Sequence, residues 1–272
     1  MAYRLAWMFA LGLLLQAPSI GAAPDGPELN ALIERISLAL GGQDGGEAVL
    51  SKAKNYTFTF RRTIKDAPSG RQVTADHRYL FHHGGKRARL DIRIRSGKGK
   101  DSATVLLGDE AWLLAEGEKH AVNPETASGR LGEFTPQWLF SVPLALATEG
   151  RALLGGASLS LVGRVREGGS DRFILVGTGD DGEESARLEI DARTYRPVEI
   201  AFRSSGGNVV YRYGDYREVE RGLIVPFRRE FLRNGIEVSS TEVFQLELSK
   251  MGDERLFDPE VVELPDLSRK SP

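Results

Sequence analysis

The chain has 272 residues, no cysteine and a formal net charge of −2 at pH 7. This composition excludes a disulfide framework, thiolate metal sites and an acylated anchoring cysteine, and it offers no basic excess for a phosphate backbone, so no nucleic-acid partner is expected.

Residues 1–22 read as a cleavable signal peptide. Arg4 supplies the positive charge, Leu5 to Leu15 form an apolar run shorter than a bilayer span, and Ala22-Ala23 end a small-residue stretch suited to cleavage. Export to the bacterial periplasm is therefore expected, with residues 23–272 forming one freely diffusing, monomeric domain held by its own core.

From Pro27 to Leu40 the residues Leu29, Leu32, Ile33, Ile36 and Leu40 share one helical stripe, with Pro27 in the first turn and Gly41-Gly42 as a stop. Such an amphipathic helix needs an apolar surface to cover. Downstream the pattern changes to period two. Tyr56, Phe58 and Phe60 alternate with Thr57, Thr59 and Arg61, and Leu90, Ile92 and Ile94 alternate with Arg89, Asp91, Arg93 and Arg95. The same holds for Leu188 and Ile190, for Val198, Ile200 and Phe202, and for Phe244, Leu246 and Leu248. Turn clusters such as Pro68-Ser69-Gly70, Gly206-Gly207-Asn208 and Asn234-Gly235 separate these runs, which predicts an antiparallel meander with one wet face.

One segment interrupts the meander. FTPQWLFSVPLALATEGRALL opens with Thr135 as N-cap and Pro136 in the first turn, is apolar almost all round, and is expected to pack as a second helical element over the sheet, broken at Pro143. Strands with two covering helices make an α+β layer arrangement. A strongly curved sheet would enclose a cavity suited to acyl chains, whereas a flatter packing would fill the same face with a solid core; both readings stay open at this point.

Catalytic signatures are sparse. HExxH, GxSxG and Walker patterns do not occur. Ser51-Lys52-Ala53-Lys54 matches SxxK without its usual partner motifs, so a hydrolase using Ser51 is a minor alternative and no enzyme activity or cofactor is expected. His77, His82, His83 and His120 are expected at surface turns, since strand neighbours such as His82 and His83 point to opposite faces.

Several stretches resemble the periplasmic outer-membrane lipoprotein carriers of the LolA and LolB type. They are KRARLDI with Lys86, Arg87 and Arg89; VLLGDEAWLL with Gly108-Asp109-Glu110 and Trp112; AVNP with Pro124; and then FTPQWLFSV in the position of a lid helix. RLEIDARTYRPVEIAF, VVYRYGDYREVERGLIVPFRREF and LFDPEVVELP are similar to the downstream strands and closing Phe-Asp-Pro element of lipoprotein-sorting proteins. The resemblance implies an α+β fold, a curved antiparallel β-sheet half-barrel with helices plugging its concave apolar face. It further implies a carrier that shields lipoprotein acyl chains or lipid on the way to the outer membrane, working with an inner-membrane transporter and an outer-membrane acceptor. An envelope sensor that uses the same fold to detect lipidated ligands is the alternative. The wall is then expected from Phe58, Phe60, Leu90, Ile92, Ile94, Trp112, Leu114, Leu188, Ile190, Ile200 and Phe202, and the lid from Trp138 and Phe140. Where the family has an Arg-Pro step whose arginine latches the lid, this chain has Arg87-Ala88-Arg89, leaving the latch to Arg87, to Arg89 or to neither.

Overall fold

The computed structural model describes residues 27–41, 53, 55–66, 69–82, 87–136, 158–167, 169–178, 183–204, 206–248 and 254–260. Two helices lie among them, α1 (Pro27–Ala39) and α2 (Pro124–Gly132). The first group of strands is β1 (Asn55–Asp66), β2 (Arg71–His82), β3 (Arg87–Ser96), β4 (Ser102–Leu107), β5 (Glu110–Ala115) and β6 (Glu118–Ala121). The second is β7 (Ser158–Glu167), β8 (Ser170–Thr178), β9 (Glu184–Asp191), β10 (Pro197–Ser204), β11 (Gly207–Glu218), β12 (Ile224–Arg233) and β13 (Ile236–Leu248).

All thirteen strands form one antiparallel sheet in the order β6-β5-β4-β3-β2-β1-β13-β12-β11-β10-β9-β8-β7. Each group is a meander, and the two are joined because β1 pairs with β13, with Tyr56 opposite Leu248 and Phe58 opposite Leu246. The chain's first and last strands therefore sit in the middle of the sheet. Among the described strands β6 and β7 stand at its two ends, and the sheet curves without closing, as an α+β half-barrel with helices on its concave apolar face.

Period-two alternation explains most strand faces, but one bulge reverses it. Gln245 faces Thr59 while Val243 faces Phe60, leaving Phe244 as the extra residue. Phe244 consequently leaves the face of Leu246 and Leu248, lies 40% exposed, and has the Arg61 guanidinium 5.2 Å from its ring centre. The expected grouping of Phe244 with Leu246 and Leu248 is corrected accordingly.

Helix α1 covers the β7–β11 half. Leu29, Leu32, Ile36 and Leu40 pack with Leu159, Leu175, Leu188, Ile190, Ile200 and Val209, so one helical stripe meets five strands. The helix stops where Gly41 adopts φ +128°, and a side chain there would meet the Gly222 carbonyl oxygen at 2.8 Å. That close approach lets Ile224 N donate to Leu40 O at 3.2 Å, stitching the helix end to β12.

Helix α2 was not anticipated. Asn123 caps it, its Oδ1 accepting from Glu125 N at 2.8 Å and Thr126 N at 3.2 Å, and Pro124 occupies the first turn. It carries Leu131 into the core of the other half of the sheet. The second helical element expected after Pro136 falls on 137–157, outside the described residues.

Burial of the α1 stripe predicts a sharp contrast within one helix. Ile36→Ala, at a position only 1% exposed, is expected to cost about 2–5 kcal/mol. Leu38→Ala, at a position 57% exposed, should stay within about 0.5 kcal/mol. Urea unfolding of the two variants measures both.

Candidate functional site on the concave face

Register fixes which side chains share the concave face. Phe58, Tyr79 and Leu90 are opposite one another across β1, β2 and β3, followed by Phe60, His77 and Ile92, and then Ala75 with Ile94. Phe58, Phe60, Tyr79, Leu90 and Ile92 build, with Val225, Phe227, Val243, Leu246 and Leu248, an apolar cluster around the centre of the sheet. On the other half Leu188, Ile200 and Tyr211 line up, as do Ala186, Phe202 and Val209, while Ile190 lies opposite Pro197. Nine of the expected wall residues thus share this face: Phe58, Phe60, Leu90 and Ile92 in the central cluster with Ile94 beyond it on β3, and Leu188, Ile190, Ile200 and Phe202 in the other cluster.

His77 is not a surface turn residue, and that expectation is corrected. It lies buried on β2, its ring 4.7 Å from Phe60 and 5.2 Å from Phe134. Its Nδ1 lies 3.1 Å from Ala75 O. Burial, with the nearby Arg62 and Arg130 charges adding to it, pushes the imidazole pKa down to about 3, so the ring is neutral near pH 7. The alternation could have placed it, since His77 shares its parity with Tyr79 and Phe81.

A polar row that sequence reasoning missed crosses the same face. Arg62 pairs with Thr241, Thr241 with Arg229, and Arg229 with Tyr213, so four neighbouring strands project these residues side by side. Arg62 follows Phe60 by two positions and Arg229 follows Phe227 by two, a parity signal that places both on this face.

Four expected site residues stand on the opposite, convex face. Arg89 pairs with Val105 and Val105 with Trp112, while Ala103 pairs with Leu114, so Arg89, Trp112 and Leu114 project away from Leu90; Arg87 shares their parity. Trp112 and Leu114 pack with Ala103 and Val105 in a separate cluster. The expectation that they belong to the wall is therefore corrected: β5 is apolar on both faces, and only its register decides which face meets Leu90.

Arg89 is 0% exposed, with Nε 2.7 Å from Asp91 and Nη1 donating to Leu256 O at 2.6 Å. Arg78 donates to the other Asp91 oxygen at 2.7 Å. Asp76 is gripped in the same way by Arg61 at 2.7 Å and Arg95 at 2.6 Å, and these bonds hold its carboxyl below the usual carboxylate range although burial acts against them. The Glu254–Phe257 turn closes over this network with Phe257 buried beside His82. Arg89 thus clamps the C-terminal element from the convex side, the wrong side to latch a lid on the concave face. A cavity of about 300 Å³ also opens on the convex face, lined by paired charges including Glu199, Arg212, Arg228 and Glu230 over Gly214. The expected lid residues Trp138 and Phe140 lie outside the described residues.

No family model and no curated protein matches the sequence. Solved structures similar to this chain include a LolA superfamily protein from Nitrosomonas europaea, at 16% identity and TM-score 0.41, with 84% of this chain and 96% of that one covered. A DUF1329 family protein from Desulfovibrio piger is 11% identical with TM-score 0.45, covering 86% and 99%. A domain described as an outer membrane lipoprotein-sorting protein from Vibrio parahaemolyticus is 14% identical with TM-score 0.44, covering 85% and 97%. The family whose motifs the sequence resembles is therefore among the structures this chain is similar to.

The depressed imidazole of His77 sets a pH window. Between pH 6.5 and about 3 the unfolded chain binds a proton that folded His77 refuses, so stability present above 6.5 is lost as pH falls through that range. His77→Phe preserves a ring between Phe60 and Phe134 and removes the titration. From about pH 7 to about pH 4 the variant should lose roughly 3 kcal/mol less than the wild type, measured by urea unfolding at each pH. Equal losses would contradict a neutral buried imidazole.

Proposed function

We propose that the protein is a periplasmic carrier that shields acyl chains of lipoproteins or lipids on the concave face of its sheet during transfer toward the outer membrane. The observation that carries this reading is the distribution of apolar side chains: two clusters on one face of a single open sheet, one of them covered by α1. On the central half, the described helix α2 contributes Leu131 to the cluster. A face of this kind suits chains laid along the strands, over Phe58, Phe60, Leu90, Ile92 and Ile94 on one side, and in place of the α1 stripe over Leu188, Ile190, Ile200 and Phe202 on the other.

The energetics are adequate for a carrier. Roughly ten methylenes removed from water would contribute about 8 kcal/mol, from which chain ordering and association subtract several. The net falls in a range that permits both capture and release. The role requires no bond to be made or broken. An inner-membrane transporter as donor and an outer-membrane acceptor are the partners such a carrier would need, and the signal-like segment of residues 1–22 supports a site of action in the envelope.

Lipid extraction of protein purified from the periplasm, followed by mass spectrometry, tests the reading. Acyl lipid or lipopeptide is expected near one equivalent per chain. Extracts no richer in lipid than those of an unrelated exported protein, together with no uptake of a neutral hydrophobic dye, would refute it.

A further inference from the structure

Among the described residues the concave face carries a polar row formed by Arg62, Thr241, Arg229 and Tyr213 across four neighbouring strands, with His77, Arg217 and Arg233 as further polar positions on that face. One step along the strands lie Phe60, Val243 and Phe227 of the central cluster; one step the other way lie Phe231 and Tyr211 of the cluster under α1. The two apolar clusters therefore meet at a line that carries two guanidinium groups two strands apart, about 10 Å between backbones, within the reach of converging arginine side chains.

These are not solvated surface arginines. Arg229 is 9% exposed and its guanidinium carbon lies 4.6 Å from the Tyr211 ring centre. Burial chiefly, and the Arg229 charge next, disfavour the protonated form of Arg62, with Glu133 and Tyr211 acting in the opposite sense. Arg62 and Arg130 are both felt at His77. Positive charge is thus concentrated between the two apolar clusters, where Arg62, Arg229 and Arg233 all act on Tyr211. Thr241, buried between the two arginines, and Tyr213 beside Arg229 add hydroxyl groups to the same row.

We propose that Arg62 and Arg229 receive the phosphate oxyanion of an acidic amphiphile whose acyl chains lie on the two flanking apolar clusters. The inference rests on the acyl-binding reading above and narrows it to ligands with an anionic head. Planar guanidinium groups meet phosphate oxygens in a bidentate fork, and such charge-assisted bonds strengthen away from water.

The test is displacement of the neutral dye N-phenyl-1-naphthylamine from the full chain by dipalmitoylphosphatidylglycerol, by dipalmitoylglycerol with the same chains but no phosphate, and by inorganic phosphate. The phosphatidylglycerol is expected to bind at least about tenfold more tightly than the diacylglycerol, and inorganic phosphate alone should not displace the dye. The Arg62→Gln, Arg229→Gln double variant should bring the ratio of the two lipids to about one, and the corresponding double lysine variant should restore part of it. Equal binding of both lipids by the wild type would overturn the head-group proposal while leaving the acyl-binding reading standing, and this comparison decides the matter even if the double variant does not fold. Binding of neither lipid would sink both. A saturable response to inorganic phosphate matching that to the phospholipid would identify a free-anion site and overturn the amphiphile.

Discussion

The architecture depends on the pairing of β1 with β13. Each meander alone would end in a long exposed edge at one of these strands, with a row of unpaired backbone donors and acceptors. Their union turns two modest sheets into one face thirteen strands wide. It also places Phe58 and Phe60 beside Val243 and Leu246, so the aromatic centre of the concave face exists only when the beginning and end of the described chain have met. A contact this distant in sequence forms at a high entropic cost, which the apolar burial on both sides of it must offset.

The two faces then diverge in chemistry. The concave face collects aromatic and branched side chains, takes the α1 stripe on one half, and is crossed by the row of Arg62, Thr241, Arg229 and Tyr213. The convex face buries carboxylates, and among the described residues the deepest of them are bracketed: Asp91 by Arg89 and Arg78, Asp76 by Arg61 and Arg95. Such a network contributes less to net stability than its count of contacts suggests, because desolvation opposes the Coulomb attraction. Its geometric role is clearer, since Arg89 reaches Leu256 O and seats the C-terminal turn over β3 and β4. The chain thus holds its convex face through paired charges and one half of its concave face through the α1 stripe.

Much of this was legible in the residues. The stripe of Leu29, Leu32, Ile36 and Leu40 marked α1, and alternation marked the strands with the core faces of Phe58, Leu90, Leu188 and Ile200. Ordered motifs pointed to a LolA-like half-barrel. What escaped depended on register, which no single strand carries. Trp112 and Leu114 belong to a strand apolar on both sides, so their face follows only from the pairing of β5 with β4. Phe244 changed sides through a bulge with no glycine to announce it. Helix α2 was hidden because its Ala, Ser and Gly residues leave only Ala127 and Leu131 as buried contacts. Arg62 and Arg229 were passed over because arginine next to another arginine reads as surface, although parity with Phe60 and Phe227 already placed them inside.

These placements lead to one decisive observation, the identity of the side chains that touch a bound chain. Protein loaded with a ¹³C-labelled acyl lipid, analysed by isotope-filtered nuclear Overhauser spectroscopy, should show acyl methylene protons in contact with Phe58, Leu90, Leu188 and Ile200. Contacts confined to Trp112 and Leu114 on the convex side, in protein shown to be loaded, would contradict the account.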